Sequence, residues 1–314
     1  MGDIIHDKAC PPMAERQRII NEKDVKAALA QYNTSRSPEA PALLSSAKGR
    51  VLEVKFSGHT CFSCCAFDYF DDLAIELERF AGVPFAAFDS AAIAKPTPHY
   101  LVKYAMLDFL DEIRCAMAEV GEEVCARIAE FENASRDERT LFSELCYCIL
   151  TANYTAEGGM RIQREIGDGF ARLPKEEVAK KLRELHYRFP NIRASFIVEA
   201  RRLNGDLLPI LKGFSSSVSA RAWLVENVKG YGFKEASHFM RNVGFKDVAI
   251  IDRHIVRFLD QKELLSHAES KKAILPRRYL QYERILAAIA RRLSINLAEL
   301  DLYIWYLMTG KVLK

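Results

Sequence analysis

No stretch of this 314-residue chain approaches the roughly 18 uninterrupted apolar residues that a bilayer-spanning helix requires. The opening MGDIIHDKAC has no basic region followed by an apolar run, so no secretory leader is expected. Charge of one sign is scarce as well. The net value is only +3, so any basic face is offset by acidic patches, and nucleic-acid binding is permitted without being demanded. No internal repeat recurs at solenoid periods. A metal site is also poorly provided for: His59, Cys61, Cys64 and Cys65 spell HxCxxCC, but no second CxxC exists to complete four zinc ligands. The alternation around this group favours buried strand cysteines over a metal or redox site, and no metal is assigned. Most of the eight cysteines lie inside apolar helical patterns, which predicts reduced thiols and a cytoplasmic protein.

What is present is material for a core. Apolar residues make up 49% and aromatics 10%, enough for one large domain or two ordinary ones. Residues 34–49, TSRSPEAPALLSSAKG, carry no sustained period and read as a linker or irregular arm. Leu52, Val54 and Phe56 then alternate with Glu53, Lys55 and Ser57, as a half-buried strand does. TCFSCCAF is expected to return as a second strand, followed by a helix over DYFDDLAIELERFAG ending at Gly82, and by a third apolar run, VPFAAF. Residues 1–98 therefore form a small N-terminal α+β module, with KPTPHY as its exit. From Tyr100 onward the spacing turns to three and four, from YLVKYAMLDFLDEIRCAMAEV to LAELDLYIWYLMTG, and predicts an all-α domain over 99–314.

The most informative segment is AWLVENVKGYGFKEASHF, Ala222 to Phe239. An apolar helix ends at Val228, Lys229-Gly230-Tyr231-Gly232-Phe233 turns the chain, and a new helix starts near Lys234. Two glycines two apart allow positive φ, and a helix that begins at once points unpaired N–H groups outward, a cradle for a phosphate. The competing account is a plain helix–helix corner. Lys234, in the first helical turn, lies where the dipole disfavours a cation, and a neutral amine is what a Schiff-base nucleophile needs. Asp252 is 18 residues further on (252 − 234), where the apolar stretch Val248–Ile251 stops and a helix begins. It suits an N-cap, and a capping carboxylate at a cleft edge can also stabilise positive charge on a sugar.

KGYGFKEASHFMRNVGF followed by AIIDRHI resembles the helix-hairpin-helix DNA glycosylases, and more narrowly the archaeal type 2 8-oxoguanine DNA N-glycosylase/DNA lyase family. ELCYCILTANYTAEGG, RFPNIRASFIVEAR and the ending ELDLYIWYLMTGKVLK carry the narrower match, in the family's order over about two thirds of the chain. The resemblance implies two helical subdomains around a cleft, Lys234 as nucleophile and Asp252 as its catalytic carboxylate. It also implies that the C-terminal residue, Lys314, helps to tell 8-oxoguanine from guanine, with no metal or organic cofactor. The expected substrate is double-stranded DNA with 8-oxoguanine or abasic sites, and the location nucleoid-associated.

A base inside a duplex must be extruded to be reached, then read by its edge and by stacking. Trp305 is the best stacking candidate in LYIWY, although aromatics at helical spacing also serve as core. Asn153 and Gln163 are alternative contacts to the flipped base or its orphaned partner. Gly230, Gly232, Lys229 and His254 are expected to meet phosphate, and His238 flanks the same region. The resemblance ends before the N-terminal module, whose composition fits a partner-binding, DNA-contacting or stabilising element equally.

Overall fold

The computed structural model describes residues 20–62, 66–134, 137–152 and 154–314. The chain divides into two compact units: one runs up to Glu119 and includes Asp260–Glu269, the other comprises Val120–Leu259 and Ser270–Lys314.

The first unit contains α1 (Glu22–Arg36), β1 (Ala42–Lys48), β2 (Val51–Phe56), α2 (Ala66–Ala81), β3 (Phe85–Ile93) and β4 (His99–Met106). The strands form one antiparallel sheet in the order β1-β2-β4-β3. Leu52, Val54 and Phe56 are fully buried, as their alternation predicts, and pair across β4 with Tyr104, Val102 and Tyr100. Phe70, Leu73 and Leu77 of α2 and Val25, Leu29 and Tyr32 of α1 complete the same core. Helix α2 ends at Gly82, whose φ of +66 favours glycine.

Three expectations are corrected here. Residues 34–49 are not a linker: α1 runs into them and β1 occupies most of the remainder. The Asn33 side chain fixes Ala42 by donating to its carbonyl and accepting from its amide, both at 2.8 Å, so long-range pairing orders a stretch of small residues with no period of its own. TCFSCCAF is not a strand over its described part, because Gly58–Phe62 is a 3-10 turn; Cys64 and Cys65 lie outside the described residues. The module does not end at residue 98. YLVKYAM belongs to β4, the strand between β2 and β3, and its apolar run merges in sequence with the helical pattern that follows.

Helix α3 (Leu110–Ala134) loses helical geometry at Val120, where the two units divide. The helices that follow are α4 (Glu138–Thr151), α5 (Ala156–Ile166), α6 (Gly169–Arg172), α7 (Lys175–Glu184), α8 (Pro190–Ala200), α9 (Leu207–Lys212), α10 (Ser217–Asn227), α11 (Phe233–Asn242), α12 (Arg253–Gln261), α13 (His267–Ser270), α14 (Pro276–Leu293) and α15 (Leu297–Thr309). The protein is mainly helical, as expected. Helix α4 is central to the second core: Leu141, Leu145, Cys146, Cys148, Ile149 and Leu150 are all fully buried, the signature of a helix covered on every side.

Cys61, Cys125, Cys146 and Cys148 are free thiols, whereas Cys115 is disulfide-bonded, so the expectation of uniformly reduced cysteines does not hold. Cys115 is half-buried on α3, whereas Cys146 and Cys148 are fully enclosed. Among the described residues no helix is long and apolar enough to cross a membrane, and no cluster of three or more His, Cys, Asp or Glu could hold a metal ion.

Candidate active site

Helix α10 ends with Val228 donating to Leu224 O at 2.9 Å, and Tyr231 N turns back to Val228 O at 3.1 Å. The hairpin is pinned from below by Tyr231, whose hydroxyl donates to Leu145 O of α4 at 3.0 Å. Only one of its glycines needs positive φ. Gly230 sits at φ +89, and a Cβ there would come within 2.5 Å of the Phe196 ring and 2.9 Å of the Arg193 guanidinium. Gly232 is extended, at φ −111, so of the two glycines Gly230 is the one that uses the positive-φ freedom. Having no side chain, Gly232 cannot cap α11 itself, and Glu235 Oε2 accepts from its amide at 3.2 Å instead. Lys229 is exposed and pairs with the exposed Glu199 at 3.3 Å, a contact worth little in water.

Lys234 lies in the first turn of α11 with its side chain 30% exposed and Nζ 3.8 Å from Glu235 Oε1. Its amine acts electrostatically on the buried His238 and Cys148, and the amine of Lys314 acts on the same two groups. Burial, with the positive charges of Arg241, Lys234 and Lys314 around it, holds His238 well below its usual range, so the ring is neutral. The Lys314 backbone is the hydrogen-bonding group that acts on the ring, and it opposes this lowering without overcoming it. A residue so enclosed, 6% exposed, is not placed to meet a surface phosphate.

Lys314 is tightly held for a chain terminus. Nζ donates to Glu144 Oε1 at 2.5 Å and Gln163 Oε1 at 2.7 Å, and lies 4.7 Å from the Tyr147 ring centroid. The Tyr147 hydroxyl donates to Lys314 O at 3.0 Å. Gln163 Nε2 donates to Ser143 Oγ and Glu144 Oε1, and the second Glu144 oxygen accepts from Asn242 Nδ2 at 3.1 Å. Arg241 donates to Asn242 Oδ1 and pairs with Asp301. Glu144, Asn242, Arg241 and Asp301 escaped the sequence reading. A signal existed for Glu144: a carboxylate inside the apolar run LFSELCYCIL cannot avoid the core, where it needs a cation.

Asp252 caps α12, as its position predicts: Oδ1 accepts from His254 N at 2.8 Å and Ile255 N at 3.0 Å. Its charge reaches Asp301, whose carboxyl is raised to about 6, first by burial and then by Asp252, against the pull of Arg241. The His254 ring packs edge-on against half-buried Trp305, with centroids 4.7 Å apart, and accepts from Arg253 Nε at 3.3 Å. Trp305 Nε1 is buried with no partner among the described residues, while Tyr303 is core. Asn153 lies outside the described residues.

A family model described as 8-oxoguanine DNA glycosylase matches residues 124–295. Among curated relatives, the 8-oxoguanine DNA glycosylase/AP lyase of Methanocaldococcus jannaschii is 51% identical over 198 residues, 63% of this chain and 94% of the relative. That of Korarchaeum cryptofilum is 52% identical over 204 residues, 65% of this chain and 96% of the relative. The crystal structure of the M. jannaschii enzyme in complex with a 15mer DNA containing 8-oxoguanine matches with a TM-score of 0.63 at 48% identity, covering 66% of this chain and 99% of that one. The model takes in more than half of the chain, including the hairpin, Lys234 and Asp252, and the relatives are matched over nearly their whole length: this chain belongs to the 8-oxoguanine DNA glycosylase family.

Proposed function

We propose that this chain excises 8-oxoguanine from duplex DNA and then cleaves the strand at the abasic site, with Lys234 as nucleophile and Asp252 as the accompanying carboxylate. The observation that carries this reading is that two lysines act on the same two buried groups: Lys234, at the start of α11, and Lys314, held by Glu144 and Gln163, both act electrostatically on His238 and Cys148. One amine is available for chemistry, and the other belongs to a polar cluster that can read a base edge.

The target nucleotide is extruded, since its C1′ cannot be reached within the stack. As a free amine, Lys234 attacks C1′; the C1′–N9 bond breaks and its electron pair leaves with the base, which takes up a proton while Nζ gives one up. Asp252 supplies negative charge where positive charge grows on the sugar. Its Oδ1 is committed to two backbone amides, while Oδ2 has no partner among the described residues. Ring opening yields a Schiff base between Lys234 and C1′. Removal of a C2′ proton then expels the 3′ phosphate and regenerates the amine on hydrolysis.

Lys314 and Gln163 contact the base edge, and Trp305, braced by His254, offers the stacking face. Gly230, Gly232, Lys229 and His254 contact DNA phosphates. Gly232 does so with its amide already shared with Glu235, leaving the hairpin and the first turn of α11 as the main donors. Abasic-site DNA is a second substrate, and the protein works where the cell's DNA lies, in the cytoplasm at the nucleoid.

Borohydride reduction should trap a covalent complex with duplex DNA carrying 8-oxoguanine, and Lys234→Gln should abolish it. An undiminished adduct with Lys234→Gln, or none with the unsubstituted protein, overturns the proposal.

A further inference from the structure

Lys234 and Asp252 stand on different pieces of chain. Asp252 ends a buried stretch, Val248–Ile251, that belongs to no helix or strand, so its amides and carbonyls cannot use a regular ladder. Buried backbone groups must still be paired. Here side chains pair them: Ala249 N donates to Glu283 Oε1 at 2.9 Å, Ile251 N donates to the Tyr279 hydroxyl at 3.1 Å, and that hydroxyl donates to Ala249 O at 2.7 Å. Tyr279 and Glu283 are successive turns of one face of α14.

The same two residues are tied to the helix that carries Lys234. Glu283 accepts two bonds from Arg221, at 2.6 and 2.8 Å, and Arg221 is 1% exposed. Arg221 also donates to Ser237 Oγ of α11 at 3.1 Å. Its guanidinium lies 5.3 Å from the centroid of Phe233, the residue before Lys234, and 5.6 Å from that of Tyr279. The Phe233 and Tyr279 rings are themselves in contact, 5.5 Å apart. One buried assembly thus grips the backbone leading to Asp252 on one side and the first turns of α11 on the other.

We infer that Arg221, Tyr279 and Glu283 are positioning residues for this reaction: they set the placement of the Asp252 carboxylate relative to the Lys234 amine. The inference rests on the roles proposed above for Lys234 and Asp252. Buried ion pairs are poor contributors to net stability, because desolvation offsets their attraction. Geometry at a reacting centre is far more sensitive, a displacement of about 1 Å being worth about 100-fold in rate.

Tyr279→Phe keeps the ring and its stacking on Arg221 but removes both backbone bonds. It should slow single-turnover excision of 8-oxoguanine by about 10- to 100-fold. Borohydride trapping on DNA with a preformed abasic site should change less than about 3-fold, because attack on an open-chain aldehyde needs no help with departure of a base. Glu283→Gln keeps an oxygen for Ala249 N but weakens the Arg221 link, and should shift the same ratio in the same direction. It serves as the test if Tyr279→Phe does not fold. Both variants are assayed well below their melting temperatures, at saturating DNA. Equal excision rates in variant and parent, or excision and abasic-site trapping falling together, overturn the inference. Failure of the parent protein to excise 8-oxoguanine at all overturns instead the functional reading on which it stands.

Discussion

Replacing Gly230 by alanine should cost far more than replacing Gly232, although both belong to one short hairpin motif. At Gly230 two penalties combine. A φ of +89 is costly for any residue with a Cβ, about 1–3 kcal/mol. The added Cβ would stand 2.5 and 2.8 Å from two Phe196 ring atoms and 2.9 Å from Arg193, so the ring must move and the core repack, about 1–3 kcal/mol more. The sum is about 2–6 kcal/mol. At about 2–4 °C per kcal/mol for a protein of this class, Tm should fall by roughly 5–20 °C. At Gly232 the φ of −111 suits any residue, and the nearest atom to a new Cβ is Glu235 Oε2 at 3.3 Å, the free end of a flexible side chain. The cost there should stay below about 1 kcal/mol. Calorimetry gives the stabilities, and equilibrium binding to undamaged duplex at two salt concentrations reports whether the hairpin still grips phosphate. Equal losses at the two positions, or a larger one at Gly232, refute the reasoning.

Two further outcomes follow from the buried charges. Lys314→Met, which leaves Glu144 with Gln163 and Asn242 alone, should reduce discrimination between 8-oxoguanine and guanine by about 10- to 100-fold, the worth of one hydrogen bond to a charged group. Abasic-site cleavage should stay within about 3-fold; an unchanged ratio of base excision on the two substrates would remove Lys314 from base reading. Asp301, raised to about 6, favours the protonated form in the folded protein. Its contribution to stability is therefore full below the unfolded value near 3.9 and is lost as pH rises through about 6, roughly 3 kcal/mol over that window. Urea unfolding midpoints from pH 4 to 7 should show this slope in the parent but not in Asp301→Asn, the comparison cancelling the opposite trend from His238. Parallel curves would exclude it.

Local chemistry was legible in the residues themselves. Alternation at Leu52, Val54 and Phe56 marked a strand, Gly82 marked the end of α2, and Asp252 before an apolar helix marked a cap, because each depends on neighbours within a few positions. The hairpin with Lys234 behind it was legible for the same reason. Gly230 and Gly232 were not separable in sequence: their different φ values depend on how the turn seats against Phe196 and Glu235. Likewise β4 and the ordering of residues 34–49 come from pairing with distant strands, which override a weak or ambiguous local period.

The sequence by itself determined that the second unit is helical, where α2 ends and α12 is capped, and which lysine stands at the mouth of the hairpin. Only the tertiary structure decided which carboxylate meets which cation. Glu144 finds Asn242 across 98 residues and Lys314 across 170, and Arg221 finds Glu283 across 62. A buried charge must be paired wherever packing brings a partner, and packing is a property of the whole chain, invisible to any pattern that spans one or two helical turns.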